Sequence, residues 1–542
     1  MTEATDNTAD AAPHPVDTDF EIGQNNINPF GLDIHNPVFL ISGLSIVAFV
    51  LVTLMFQEGA TEFFGWLRPF LTSTFDWFFL SAANIFVILS LVLMITPLGA
   101  IRLGGDDATP DYGYLGWFAM LFAAGMGIGL MFFGVSEPMS HFASSLGGVA
   151  GEAGARTDWA PLGAAAGDIA AARDLGMAAT VFHWALHPWA IYAVVGLSLA
   201  FFTYNRGLPL TLRSAFYPLL GERVWGWWGH IIDILAVFAT LFGLATSLGF
   251  GTEQALAGLN YLFGWSTGNG AKVILIAAIT AVALLSVLRG LDGGVKILSE
   301  INIGLAALLL VFVLLVGPTG DIFAAIVSGG SAYVTNLIPL SMPFGREDVN
   351  FSQGWTSFYW AWWISWSPFV GMFIARVSRG RTVREFIFCV IVIPTLVSVV
   401  WMGVFGGTAI SQVVADAAAP VKDAALELKL FEMLKPLPFA GISSFLGIVL
   451  VLIFFITSSD SGSLVIDTIT AGGKTDAPVS QRVFWCTFEG VVAATLLLVG
   501  GSGALTALQA MAVSTGFPFT IVLLAMCVSL VIGLNQSRKL SK

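Results

Sequence analysis

The chain has 542 residues, 56% of them hydrophobic and only 11% charged, with a mean hydropathy of +0.84. That apolar content is far beyond what a soluble domain hides in one core, so the chain reads as an all-α polytopic membrane protein. The net charge of −12 carries no nucleic-acid signature.

In chain order, residues 1–33 hold Glu3, Asp6, Asp10, Asp17, Asp19 and Glu21 with no Lys or Arg, and are expected to form an acidic disordered tail. The basic start and short apolar core of a signal peptide are missing, so no cleavage is expected. Apolar runs of about 18 residues or more then recur. They predict twelve transmembrane helices near 37–57, 77–98, 114–136, 175–203, 229–258, 272–289, 300–317, 355–377, 385–408, 441–466, 480–500 and 505–534. The first two, within 34–113, have no interior polar motif and read as a peripheral pair. Residues 114–320 and 351–534 carry five spans each, joined by an amphipathic segment at 321–350, and 535–542 form a short tail. Placing both termini in the cytoplasm puts Arg206, Arg213, Arg223, Arg376, Arg379, Arg381, Arg384, Arg538 and Lys539 on the inner side, as the positive-inside bias requires. Cys389, Cys486 and Cys527 lie in or near spans without metal or disulfide spacing and read as packing residues.

The third span contains AAGMGIGLMFFGVSEP, with Gly125, Gly127 and Gly129 at alternate positions and Glu137-Pro138 expected to close the helix. Such glycine density weakens a helix and lets backbone groups turn toward a ligand, although close packing of helices through small residues uses the same pattern. No strand precedes these glycines and no Lys-Ser/Thr follows them, which rules out a phosphate-binding loop.

The fourth span, FHWALHPWAIYAVVG, places Trp184, Trp189 and Tyr192 on one broad face across a kink allowed by Pro188. His183 and His187, one turn apart, lack an evident third ligand and are expected to be hydrogen-bonded structural residues. The eighth span carries Trp355, Trp360, Trp362, Trp363 and Trp366, then Ser367-Pro368. At about 100° per residue, Trp362, Trp363 and Trp366 share one face. Interfacial anchoring accounts for many membrane tryptophans; here the cluster runs inward to a proline expected to open the helix. Interrupted helices leading both five-span sets point to an inverted-repeat transporter with a midplane site.

The tenth span ends FFITSSDSGSLVID, where Thr457 and Ser458 follow Phe454 by three and four residues. Hydroxyls and carbonyls on one helix face are the hard oxygen donors a small cation needs, and they are also ordinary helix packing. A box of aromatic rings with no charged side chain among them suits a methylated onium, which each ring face attracts by about 0.5–2 kcal/mol.

HWALHPWAIY, GMGIGLMFFGVSEP, FYWAWWISWSPFVGMFIARVSRGRTVREF and FFITSSDSGSLV together resemble the betaine/choline/carnitine transporter family, over roughly residues 35–535. The resemblance implies a LeuT-like core of two inverted five-helix repeats preceded by two extra helices, assembled as a homotrimer. It implies an onium box of Trp184, Trp189, Tyr192, Trp362, Trp363 and Trp366, with Gly129 beside it. It also implies a sodium ion on backbone carbonyls of Ala123, Met126 and Phe454 and the hydroxyls of Thr457 and Ser458. A second sodium position would use Thr240 and Phe369. Leu244 stands where the family has a threonine, removing one oxygen ligand, and Thr246 or Ser247 would restore it only in a shifted register.

Sodium-independent relatives place an arginine in the fifth span, and this chain has none between Arg223 and Arg289. Choline carriers often place an aspartate in the glycine stretch, so Gly129 resembles the betaine carriers. The expected function is therefore sodium symport of a zwitterionic onium by alternating access. Glycine betaine is the first substrate choice and dimethylsulfoniopropionate the second. The coupling ion is sodium and no other cofactor is expected. The setting is a lipid bilayer, the bacterial inner membrane. A proton-coupled choline or betaine carrier and a substrate exchanger are the alternatives within transport. A membrane-embedded enzyme would need a constellation of acid, base and nucleophile inside the spans, and a sensor would need a signalling domain; the sequence offers neither. The short NQSRKLSK end, in place of a long basic helix, predicts uptake that is not osmotically gated.

Overall fold

The computed structural model describes residues 12–125, 127–147, 162–163, 165, 167–289, 296–346 and 348–540. The first two crossings are α1 (Asn36–Met55) and α2 (Gln57–Ile95). The third is divided into α3 (Tyr114–Gly125) and α4 (Ile128–Gly147), and the fourth into α5 (Ile169–Trp184) and α6 (Leu186–Tyr204). Then follow α7 (Trp227–Phe263), α8 (Asn269–Arg289), α9 (Lys296–Val316), α10 (Thr319–Ser341), α11 (Ser357–Arg376), α12 (Val383–Ala415), α13 (Ala440–Thr470), α14 (Val479–Gly500) and α15 (Ala504–Leu540).

By length and apolar composition, eleven helices among the described residues can cross a bilayer. The division of the third crossing into α3 and α4, and the indoles and hydroxyls of α11, keep the third and eighth crossings out of that number. The connecting helix α10 enters it. Its buried stripe of Ile322, Ala325, Gly329, Tyr333 and Leu340 follows helical spacing, yet Phe323, Val327, Val334 and Ile338 make the outward face apolar as well. Setting α10 aside as the connector and restoring the two special segments gives twelve. Five crossings in each set is an odd number, so the second set enters the membrane from the side opposite the first, which makes the two repeats inverted.

The three prolines behave differently. The fourth span breaks at Ala185 (φ −107°, ψ −120°), three residues before Pro188, as expected. The helix does not close at Glu137-Pro138: α4 runs on to Gly147, with the Pro138 ring packed against Gly406 of α12. Nor does α11 open at Pro368. Proline there leaves the Ile364 carbonyl without its amide, and the Ser367 hydroxyl donates to that oxygen at 2.7 Å, so the helix continues to Arg376. The irregular turn lies one step earlier, as a π-helical stretch at Ser352–Thr356.

The described part of the acidic stretch, from residue 12, docks on the protein. The Val16 amide donates to the Arg206 carbonyl at 2.9 Å, and Phe20 stacks on Trp225 with centroids 4.0 Å apart. Asn26–Ile27 pairs antiparallel with Ile34–His35, and Asp33 meets Lys474 at 2.6 Å. Val16 and Phe20 give this otherwise acidic segment two apolar anchors. Beneath it, buried Arg213 pairs with Asp233 and reaches His35 at 3.3 Å and His230 at 3.2 Å.

Candidate functional site

The core is built on α11, which packs against α6, α7 and α15, while α13 packs against α7. The break in the fourth span frees backbone carbonyls that α5 and α6 can no longer pair, and two indoles take them. Trp189 Nε1 donates to the Trp184 carbonyl at 3.3 Å, and Trp363 Nε1 to the His183 carbonyl at 3.1 Å. Two more indoles of α11 tie to α7: Trp362 Nε1 to Ser247 Oγ at 3.2 Å and Trp366 Nε1 to the Gly243 carbonyl at 2.9 Å. Each N–H is thus spent on protein, and what the rings offer the space between them is π surface.

That space is a cavity of about 40 Å³ bordered by Trp184, Tyr192, Trp362, Trp363, Trp366, Ser247 and residues 127–130. Trp184 stands edge-on to Trp363 (5.2 Å, 83°) and to Trp362 (6.5 Å, 87°), and Tyr192 lies 5.3 Å from Trp363. Of the six expected box residues, Trp189 alone does not border the cavity; it backs Tyr192 at 5.3 Å and Trp363 at 6.2 Å. Trp360 points elsewhere and stacks on His187 at 5.4 Å. Gly129 is the floor: a Cβ there would lie 2.8 Å from Trp184 Cη2 and 2.9 Å from Trp362 Cη2. Glycine is therefore needed by ring packing alone, whatever it does for substrate choice. Beside it α4 begins, and the amides of Ile128 and Gly129 have no partner within the helix.

A second cavity of about 130 Å³ adjoins the first, with Trp366 bordering both. Ala123, Phe454, Thr457 and Ser458 meet there, bringing together the described residues of the expected first sodium position, and Phe369, expected at the second, borders it too. Met126 lies outside the described residues. The Thr457 hydroxyl donates to the Ile453 carbonyl at 3.0 Å, which leaves its lone pairs for an ion. Asn302 of α9 borders the same cavity with a buried amide oxygen that has no hydrogen-bond partner, a candidate oxygen donor the sequence reading did not single out. For the second position, Thr240 is buried and donates to the Ala236 carbonyl at 2.8 Å, and it does not border the cavity that Phe369 borders. Leu244 packs on Gly462 of α13. Thr246 donates to the Leu508 carbonyl at 2.9 Å, and Ser247 serves Trp362.

Sequence reasoning also missed Phe133, Tyr359 and Glu137. Phe133 and Glu137 follow Gly129 by four and eight residues, on the same face of α4, and Tyr359 precedes Trp362 by three. Phe133 lies 6.0 Å from Trp362 and 5.4 Å from Tyr359. His183 does find further partners, though His187 is not one of them. It bonds Glu137 Oε1 at 2.5 Å and Thr356 Oγ1 at 2.9 Å, while His187 bonds Asn84 Oδ1 at 3.0 Å. Glu137, His141 and His183 lie close enough to hold a metal ion. Both His183 nitrogens and both Glu137 oxygens are already engaged within the protein, so the trio reads as a closed hydrogen-bond network.

Residues 37–539 match the family of betaine/carnitine/choline transporters. A glycine betaine/proline/choline transporter of Vibrio parahaemolyticus is 65% identical over 536 residues, covering 98% of this chain and 96% of the relative. A glycine betaine transporter of the same organism is 56% identical, with coverage of 96% and 98%. A third Vibrio parahaemolyticus relative, a glycine betaine/proline/choline/ectoine transporter, is 54% identical, with coverage of 96% and 90%.

Proposed function

This chain belongs to the betaine/carnitine/choline family and is a multi-pass membrane transporter of the betaine/choline type, and on that premise we propose that it imports glycine betaine by sodium symport. The observation that carries the reading is the cavity walled by five aromatic rings, four of them indoles whose N–H groups are turned away into the protein. A trimethylammonium head takes its binding energy from such faces and from withdrawal of its methyl groups from water. The substrate carboxylate would meet the amides at the start of α4, which have no partner within that helix and where the helix dipole favours an anion. Dimethylsulfoniopropionate has the same two ends and is the second substrate.

Three relatives named for glycine betaine support the first choice; choline and proline, named for two of them, belong in the same competition assay. Sodium would be held by Thr457, Ser458 and the carbonyls of Ala123 and Phe454, next to the box and separated from it by Trp366. Ion and substrate then favour the same arrangement of the α3–α4 break and α11, so each raises the other's affinity, and alternation of that arrangement moves both. We place the protein in a bacterial inner membrane as a homotrimer with both termini cytoplasmic.

Uptake of labelled glycine betaine into proteoliposomes tests this reading, with an imposed sodium gradient, a potassium control and competing dimethylsulfoniopropionate, choline, proline and ectoine. Sodium-driven uptake competed by methylated zwitterions is expected. Uptake that ignores sodium and follows a proton gradient or internal substrate would remove the ion assignment.

A further inference from the structure

The sequence shows an onium box with no carboxylate, yet the structure puts one directly behind its wall. Glu137, fully buried, accepts the Trp184 indole N–H at 2.7 Å and the Tyr359 hydroxyl at 2.5 Å, both on Oε2. Its Oε1 faces His183 Nδ1 at 2.5 Å and His141 Nε2 at 3.3 Å. An indole nitrogen can only donate, so Oε2 is an acceptor for Trp184 and Tyr359, and with two imidazole nitrogens on Oε1 the four contacts suit an ionised carboxylate. On its other side the His183 ring pairs with the Thr356 hydroxyl through Nε2 at 2.9 Å. No Lys or Arg pairs with Glu137 among the described residues, and Arg346, which lies within electrostatic range of His183, is bound to Asp348 at 2.5 Å. The carboxylate therefore sits one indole width from the cavity, inside apolar surroundings where screening is weak.

We propose that Glu137 is a positioning and affinity residue for the onium head: it holds the Trp184 indole and adds the field of a buried anion to the cavity which that ring borders. The carboxylate at the back of the indole draws its N–H and leaves the ring face toward the cavity more negative. A positive head gains both from the polarised ring and from the charge behind it. This also resolves how a box without an acid on its surface holds a cation, while keeping the acid out of reach of the substrate's own carboxylate. A carboxylate bordering the cavity would repel that end, whereas one behind Trp184 acts at the onium end. The proposal rests on the onium-transport reading above.

The test compares glycine betaine with tert-butylacetate, which has the same shape and carboxylate but no positive charge. In Glu137→Gln the amide keeps the size and an acceptor oxygen and loses the charge. The expected result is a KM for glycine betaine raised about five- to thirtyfold with kcat within about twofold, while inhibition by tert-butylacetate, however weak, is unchanged relative to the parent. An unchanged KM, or equal weakening of both compounds, overturns the proposal, since the second outcome belongs to a merely structural group.

Should Glu137→Gln fail to fold, Tyr359→Phe gives an independent reading. It removes a donor and keeps the charge, so KM is expected to stay within about twofold, and a tenfold rise would show that the hydrogen bonds, not the charge, matter. If the parent protein itself does not transport glycine betaine, the functional reading fails first, which separates the two failures.

Discussion

Replacing Gly129 by alanine puts the ring packing at the floor of the box to a quantitative test. The new methyl would stand 2.8 Å from Trp184 Cη2 and 2.9 Å from Trp362 Cη2. Carbon atoms rest at about 3.5–4.0 Å, so each ring must retreat by about 0.6 Å or more. Neither ring is a free end. Trp184 is held by Glu137 at 2.7 Å and Trp362 by Ser247 at 3.2 Å, and the cavity they wall has only about 40 Å³ to give. Overpacking of this kind costs about 1–3 kcal/mol. If that strain falls on the binding-competent arrangement, apparent affinity for glycine betaine drops about five- to hundredfold. Uptake kinetics in proteoliposomes and a tryptophan-fluorescence titration in detergent both report it. A KM within twofold of the parent, with an unaltered emission spectrum, would refute the ring geometry.

Three other changes have definite expected outcomes. Ser367→Ala orphans the buried Ile364 carbonyl and should lower stability by about 1–3 kcal/mol in thermal unfolding, with recovery in a Ser367→Ala, Pro368→Ala double variant whose restored amide takes the oxygen; no loss in the single variant contradicts the account of the proline. Thr457→Ala with Ser458→Ala should raise the sodium concentration for half-maximal uptake at least about tenfold while the thermal midpoint is kept, and unchanged sodium dependence would return both hydroxyls to helix packing.

His35, ahead of α1, is held at about 3 by burial first and then by Arg213 and His230, against an ordinary value of 6.5. Its folded form is the neutral one, so the stability it contributes is full above 6.5 and is lost as pH falls from there toward about 3, by up to about 1.4 kcal/mol per pH unit. Protease resistance of the N-terminal segment should fall between pH 7.5 and 5, and His35→Asn should flatten that dependence; identical profiles would oppose it.

The parts of the site legible in the sequence were those set by local periodicity. A repeat of about 100° per residue puts Trp362, Trp363 and Trp366 on one face and sends Trp360 to His187 on another, and Pro188 signals the break at Ala185 because its nitrogen carries no hydrogen for the Trp184 carbonyl four residues earlier. What stayed hidden depends on partners far along the chain. Pro368 carries the same local signal as Pro188, but the Ser367 hydroxyl takes the freed carbonyl, a side-chain geometry that residue types alone do not fix. Glu137 looked like the end of a helix because its partners are 46 residues away at His183 and 222 away at Tyr359. The N-terminal stretch reads as solvated by its charge, and two apolar side chains, Val16 and Phe20, give it a docked path that a charge count does not register.

The central claim is that the cavity between α4, α5, α6 and α11 receives the onium head, and a cryo-electron microscopy structure at saturating glycine betaine and sodium tests it most directly. The account predicts density for the trimethylammonium group within about 6 Å of the ring centroids of Trp184, Tyr192, Trp362 and Trp363, with the carboxylate at the amides of Ile128 and Gly129. Substrate density elsewhere, with the aromatic cavity still closed by its own rings, would contradict it.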